Sequence, residues 1–408
     1  MRAATISADI TPNCDVYLVG YAGEERKKTA KGVHDAPLAV SLILEVGSKK
    51  YLFVTIDTLA ISDDRVDIIK SKILKVLPLE KENIIINAIH SHSLPNGFME
   101  IKAFDTPDNP AYFDYVCTQL INSLHDLDKK MVDVSMEIGT TKIHGFYSKR
   151  TDITKPFDDN AMLILFKNGK TPIASICNFN CHATVLGPKN MLISSDLIGS
   201  VRKIIEDKFN VTPVMVTGAS GDISNRQYRQ GNDFKELDRV SRGVGDILNS
   251  IDNYKEIQLD CFEMKLYDYH IEYDNTKFYD DYQKGIDEAD SILSLNNISL
   301  DEWKMRTSEK LSLENKMKLK YIDFHVCGKV LKSNELTIVT FPGELASKFG
   351  LKLRSMCKTP YFLLIGYCDG YQGYFIEEEE YGSTYEAKAS NTPKGETEKI
   401  VEKIGELL

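Results

Sequence analysis

Residues 84–97 read IIINAIHSHSLPNG, an apolar run that leads directly into a pair of histidines. Ile84, Ile85 and Ile86 predict a buried strand, and the Pro95-Asn96-Gly97 turn closes the stretch. In extended backbone, residues two apart point to the same side, so His90 and His92 are expected to project together from the strand's end. Two neutral imidazoles at the rim of a sheet are the first two contributors that a zinc or iron site needs. A hydrogen-bonded histidine pair lining a loop has the same sequence signature. The rest of the chain must therefore supply partners.

Upstream, 38–46 and 51–57 are β-rich runs that predict a hairpin turning at 47–50, preceded by a first strand at 5–9. Helices are expected over 66–76 and from Pro110, whose stripe of Tyr112, Val116, Leu120 and Leu124 has helical spacing. A strand over 132–143 leads to a second hairpin, 161–166 with 172–179, which turns at Asn168-Gly169. That hairpin ends in Asn180-Cys181-His182, so another histidine stands at the end of a β run. Further on, the pattern predicts a helix from Asp196 to about residue 209, a short strand at 214–216 and a helix at 233–250. Strands at 256–266, 321–326, 336–341 and 362–365 follow. Between them, 275–318 is charged, helical in spacing and contains the single tryptophan, Trp303, so it reads as a helical insertion or lid. Pro342-Gly343-Glu344 is expected to open a helix running to about 356, with an aromatic loop at 366–385 and a last helix after Pro393. Hairpins mixed with strand–helix units imply an α/β fold. The expectation is one large domain over 1–408, with a mixed β-sheet flanked by helices.

The chain has 408 residues and a net charge of −10, and no low-complexity tract. Acidity argues against a nucleic-acid or anionic-membrane binder, which needs a basic face. No apolar run approaches the roughly 20 residues of a transmembrane segment. The oligomeric state is not legible. The N-terminus, MRAATISADITP, lacks the apolar core of a signal peptide. Eight cysteines are scattered through strand-like runs, as free thiols are, and a cytoplasmic setting is expected. Cys177 and Cys181 lack a second cysteine pair at ligand spacing. The loop 217–225, TGASGDISN, lacks the G-x-G-x-x-G spacing of a dinucleotide site, so it reads as a glycine-rich turn that exposes Ser224. Strand ends thus deliver His90, His92, His182, Glu344 and the aromatic loop. Two histidines and a carboxylate are the usual catalytic zinc set, but nothing local selects Glu344 from the other glutamates, and a helix-capping role is the more ordinary reading of its position.

Several segments resemble, in order, the neutral/alkaline (non-lysosomal) ceramidase family. IHSHSLPNG is similar to its T-H-T-H-S-G-P stretch, and FNCHATVLGPKNMLISSDLIG to its H-x-T-S…N-x-L-I-S-x-D-x-x-G segment. ASGDISN resembles G-D-V-S-P-N, FPGELASKFGLKLR resembles G-E-x-T…G-x-x-L-R, and YQGYFIEEEEYGSTYE resembles Y-x-x-Y-x-x-T-x-E-E-Y…Y-E. The resemblance implies a Zn2+ ion held by His90, His182, Glu344 and Tyr374. A free phenol has a pKa near 10, and the charge of zinc would stabilise the phenolate. It also implies that His92, Arg150 and Tyr385 surround the scissile carbonyl, with Ser224 matching the serine of the G-D-x-S loop. Leu94, Ser220 and Asn225–Arg226 depart from the family pattern, and the C-terminal β-sandwich of family members is expected to be absent. The expected activity is zinc-dependent hydrolysis of a linear amide in a small-molecule or lipid N-acyl substrate. Ester or small N-acyl hydrolysis by the same site, or a non-catalytic lipid-binding relative, are the alternatives.

Overall fold

The computed structural model describes residues 1–100 and 106–408. Its first five-stranded sheet runs in the order Ile84–Ala88, Lys49–Ile56, Leu38–Val46, Arg2–Asp9, Val132–Asp133. A second sheet has the order Val214–Val216, Thr171–Asn178, Asn160–Asn168, Ser135–Lys142, Lys255–Ile257. Each is mixed, with one parallel pair at the edge that carries a site histidine: Lys49–Ile56 with Ile84–Ala88, and Thr171–Asn178 with Val214–Val216.

The pleat divides the core between two faces. Val40, Leu42, Phe53 and Ile85 of the first sheet share a buried cluster with Met162, Ile164, Ile176 and Val214 of the second. Their neighbours Ile43, Val54, Ile84 and Ile86, with Leu163 and Cys177, belong to another cluster. That cluster also holds Val66 and Ile69 of helix Asp63–Ile73, Val116 and Leu120 of Pro110–Leu124, Val201 of Asp196–Phe209 and Val244 of Phe234–Asn249. The two sheets are therefore buried on both faces, which is why their strands read as continuous apolar runs rather than alternating ones. Each fully buried isoleucine of 84–86 contributes about 1.5–3 kcal/mol, so the strand end that presents His90 is firmly seated.

A third sheet, in the order Glu263–Asp274, Tyr321–Lys332, Leu336–Thr340, Tyr361–Ile365, completes the frame. Its first two strands form a long antiparallel ribbon that carries the helices Tyr279–Leu293 and Leu300–Lys316. The α/β class, the mixed β-structure flanked by helices and the helical insertion agree with the sequence, and the mixed β-structure is distributed over three principal sheets. Residues 256–266 also divide into Lys255–Ile257 and the long strand that begins at Glu263. The ribbon's alternation of buried Tyr267 and Ile271 with exposed Asp268, His270 and Glu272 carries too little hydrophobic signal to extend that strand from sequence alone. Among the described residues, no helix is long and apolar enough to cross a membrane.

Candidate metal centre and catalytic cavity

His90 and His92 converge, but not through the pleat of an extended strand. The strand ends at Ala88, and His90 adopts a left-handed backbone with φ 59°. That conformation is uncommon outside glycine, and here it is fixed from both sides. The His90 amide donates to the Thr58 carbonyl at 3.1 Å and its Nδ1 lies 2.8 Å from the Leu59 carbonyl. His92 Nδ1 faces the Gly20 carbonyl at 2.6 Å. A bridge between Ser91 and Ala183 then joins the second histidine loop to the first. There the His182 amide donates to Ile223 O, while Nδ1 lies 2.7 Å from the Ser220 carbonyl.

Glu344 does not cap a helix. It lies in a two-residue strand, Glu344–Leu345, parallel to Tyr374–Phe375 with Glu344 and Tyr374 in register, and the helix starts only at Ser347. Its amide donates to Gly373 O at 2.8 Å. Sequence reading of Pro-Gly-Glu as a helix start missed this short pairing because its partner lies about thirty residues away in an irregular aromatic loop.

Each of the three Nδ1 atoms faces a carbonyl oxygen, which only accepts, so the Nδ1 positions carry the protons and the Nε2 lone pairs remain. Those lone pairs are directed at one another. His90 and His92 Nε2 are 3.3 Å apart, and Glu344 Oε2 is 2.9 Å from His182 Nε2 and 3.5 Å from His90 Nε2. Despite that proximity Glu344 Oε2 is buried without a hydrogen-bond partner. Two ligands on one tetrahedral zinc, with bonds of about 2.0–2.2 Å, stand about 3.3 Å apart. The chemistry and spacing of these donors fit a divalent cation.

The surrounding electrostatics keep the donors in ligand form. Burial and then Arg150 push the His182 imidazole down to about 3, while burial and the other two histidines hold His92 well below its ordinary value. Burial opposes ionisation of Glu344, but His90 and His182 outweigh it and hold the carboxyl well below the usual range. Arg150 leans on His182, with Nη2 2.8 Å from both ring nitrogens, and also donates to the Gly221 carbonyl and to Glu386. Burial works against its charge, and Glu386 restores it. Tyr374 stacks on His182 with centroids 6.4 Å apart, and burial followed by Glu344 raises its phenol well above 10. Without a cation beside it, Tyr374 stays neutral. Tyr385 makes an edge contact with Tyr374 at 5.9 Å. Ser224 sits in the strand Ile223–Ser224, paired with Ser148–Lys149, and its hydroxyl accepts from the Arg226 amide.

One cavity of about 500 Å³ is lined by every residue that the sequence singled out: His90, His92, Arg150, His182, Ser224, Glu344, Tyr374 and Tyr385. Lys304, Ser308 and Lys316 of the helical insertion form part of its wall. Sequence reading missed four residues that line the cavity or support its side chains. Tyr371 donates its hydroxyl to Glu344 Oε1, and Tyr367 stacks on His90 with centroids 4.2 Å apart. Both belong to the aromatic loop, whose tyrosine density was a visible signal. Glu386 anchors Arg150, and Gly20 seats His92; nothing local marks Gly20 in the sequence.

A family description, neutral/alkaline non-lysosomal ceramidase, N-terminal, matches residues 4–221. Neutral ceramidase of Oryza sativa subsp. japonica and neutral ceramidase 1 of Arabidopsis thaliana are each 25% identical over 226 residues, covering 49% of this chain and 28% of their own length. Neutral ceramidase 2 of Arabidopsis thaliana is 24% identical over 276 residues, covering 62% of this chain and 34% of its own. The chain thus spans about a third or less of the length of these curated relatives. A crystal structure of neutral ceramidase from Pseudomonas aeruginosa matches at a TM-score of 0.74 and 17% identity, over 99% of this chain and 73% of that one. A ceramidase complexed with C2 matches at 0.73 and 15%, over 99% and 74%. Both share the fold. The cytoplasmic setting expected from the N-terminus and the thiols does not stand against the match to the neutral ceramidases of Oryza sativa and Arabidopsis thaliana. Buried cysteines such as Cys177 and Cys181, whose thiols burial pushes up, are inert in any compartment and so do not report one.

Proposed function

The chain belongs to the neutral/alkaline non-lysosomal ceramidase family, and from that premise we propose that it is a zinc-dependent hydrolase of a linear N-acyl amide. The observation that carries the reading is the convergence of unprotonated Nε2 atoms on an unpartnered, buried Glu344 oxygen. His90, His182, Glu344 and Tyr374 would hold the ion. Bound there, zinc supplies Lewis acidity toward the amide carbonyl and lowers the pKa of water toward 7.

The remaining residues divide the other tasks. His92 has its Nδ1 proton committed to Gly20, so its Nε2 would take the proton of the attacking water and pass it to the nitrogen of the leaving amine. Arg150 and Tyr385 would donate to the developing oxyanion, Arg150 being held in place by Glu386. Ser224 would position substrate on the cavity wall, with no dedicated base beside it to make it a nucleophile. Tyr371 would orient Glu344, the role that a hydrogen bond to a ligating carboxylate commonly fills. The family suggests a lipid-like acyl substrate, and Lys304, Ser308 and Lys316 of the insertion line the cavity that would receive it.

The test is elemental analysis of the purified protein before and after chelation, together with hydrolysis of a panel of N-acyl amides that includes ceramides. Bound zinc with chelator-sensitive cleavage is the expected result. Turnover that survives complete removal of metal from an H90A variant would refute the scheme.

A further inference from the structure

The ribbon formed by Glu263–Asp274 and Tyr321–Lys332 has a second cluster of metal-ligating side chains, remote in kind from the buried cavity because it is exposed. Antiparallel register sets Asp268 opposite Cys327, His270 opposite His325, and Glu272 opposite Asp323. Their neighbours Tyr267, Ile271, Ile322 and Val326 are buried, so all six outward positions lie on the solvent face. That face carries carboxylates, imidazoles and a thiol, and no lysine or arginine occupies these six positions. Opposite side chains of an antiparallel pair stand close enough to share an ion, with Cβ atoms roughly 4.5–5.5 Å apart.

We propose that this ribbon binds a divalent transition-metal ion, zinc by preference, through His270, Asp323 and His325. Their donor atoms lie within 4.8 Å of one another. His270 Nε2 is 2.8 Å from Asp323 Oδ1, close to the edge of a tetrahedral zinc site, which is about 3.3 Å. His325 stacks against His270 with centroids 4.5 Å apart. Asp268 Oδ1 holds the His325 Nδ1 proton at 2.7 Å, leaving Nε2 as the lone pair, in the carboxylate–histidine arrangement found behind metal ligands. Exposed ion pairs alone would give these contacts one at a time, but two stacked imidazoles beside Asp323, with Asp268 behind His325, form a chelating set on one face. A mixed nitrogen and oxygen donor set suits zinc and its first-row neighbours over magnesium or calcium.

A metal here would clamp both strands of the stalk that carries the insertion helices, and it is independent of the cavity chemistry. The test uses the full chain, stripped with chelator, dialysed against Zn2+ and analysed for bound metal. Wild type is expected to retain one equivalent more than H270N/H325N, while H90A loses the cavity's zinc and keeps the ribbon's. The positioning role of Asp268 predicts that D268N weakens the ribbon site by roughly 10–100-fold while circular dichroism stays unchanged. Equal zinc content in wild type and H270N/H325N, with unaltered affinity in D268N, would overturn the proposal.

Discussion

Replacing Gly20 by alanine isolates the seat of His92 from the metal ligands. Gly20 has φ 103°, and a Cβ built on it would stand 2.6 Å from His92 Nδ1 and 2.7 Å from its Cγ. Ordinary contact begins at 3.4 Å, so the ring must yield by about 0.8 Å, and misplacing a catalytic group by about 1 Å costs on the order of 100-fold. The expected kcat/KM of G20A is therefore about 100-fold below wild type, or about 2.7 kcal/mol of transition-state stabilisation. Backbone strain at positive φ lowers stability as well, by about 1–3 kcal/mol. Gly145 separates the two effects, because it has φ 85° with nothing within 4 Å of its Cβ position. G145A carries the strain without the clash, so it should melt lower and keep its activity. Zinc content should be unchanged in both variants, since no ligand side chain meets the Gly20 Cβ. The assays are steady-state hydrolysis of an N-acyl amide, metal analysis and a thermal melt. G20A with wild-type kcat/KM would show that His92 does not act from the position Gly20 gives it.

Other perturbations address the frame and the charges. Asp57 is fully buried, accepts two hydrogen bonds from Arg202 at 2.6 Å and a third from Ser195, and ties helix Asp196–Phe209 to the first sheet. D57A would leave the Arg202 guanidinium buried and unpaired, with an expected loss of about 3–5 kcal/mol in urea unfolding; a loss under 1 kcal/mol would contradict the burial argument. The His182 imidazole is pushed down to about 3 in the folded chain by burial and Arg150, against 6.5 for the ordinary group. Between those values the unfolded chain binds the extra proton, so stability of the metal-free protein falls as pH drops from about 6.5 toward 3. H182A should flatten that part of the profile, and an unchanged slope would assign it to other groups. E344Q keeps the shape of the side chain but removes the negative charge facing the Nε2 atoms, so metal retention on dialysis should fall at least tenfold while the fold persists. Undiminished retention would remove Glu344 from the ligand set.

The candidate site was legible where a local pattern pointed at it. His90, His92 and His182 stand at the ends of apolar runs, and period-2 and apolar-run signals place such ends well. The route by which they meet was not legible, since the left-handed turn at His90 depends on Thr58 and Leu59 carbonyls that only the folded chain supplies. The place of Glu344 after a strand was only suggestive, and the family resemblance singled it out; its pairing with Tyr374 joins two residues in short strands that carry no propensity signal. Gly20 acts through its missing Cβ and its carbonyl, neither of which sequence displays. The three-sheet frame was obscured for a related reason: continuous apolar runs announce burial on both faces, but not which sheet lies opposite.

The proposed metal donors come from four separate segments, near residues 90, 182, 344 and 374, so no one of them carries more than one ligand of the proposed set. Closing loops of that length is slow, and the contacts that reward it form late. The metal centre is therefore expected to assemble only at the end of folding, after all three sheets have docked. A cation that binds this assembled state, and not the unfolded chain, would pull the folding equilibrium toward completion by mass action. Retention of metal then becomes a readout of global foldedness, and substitutions far from the cavity should reveal themselves first as a loss of bound ion.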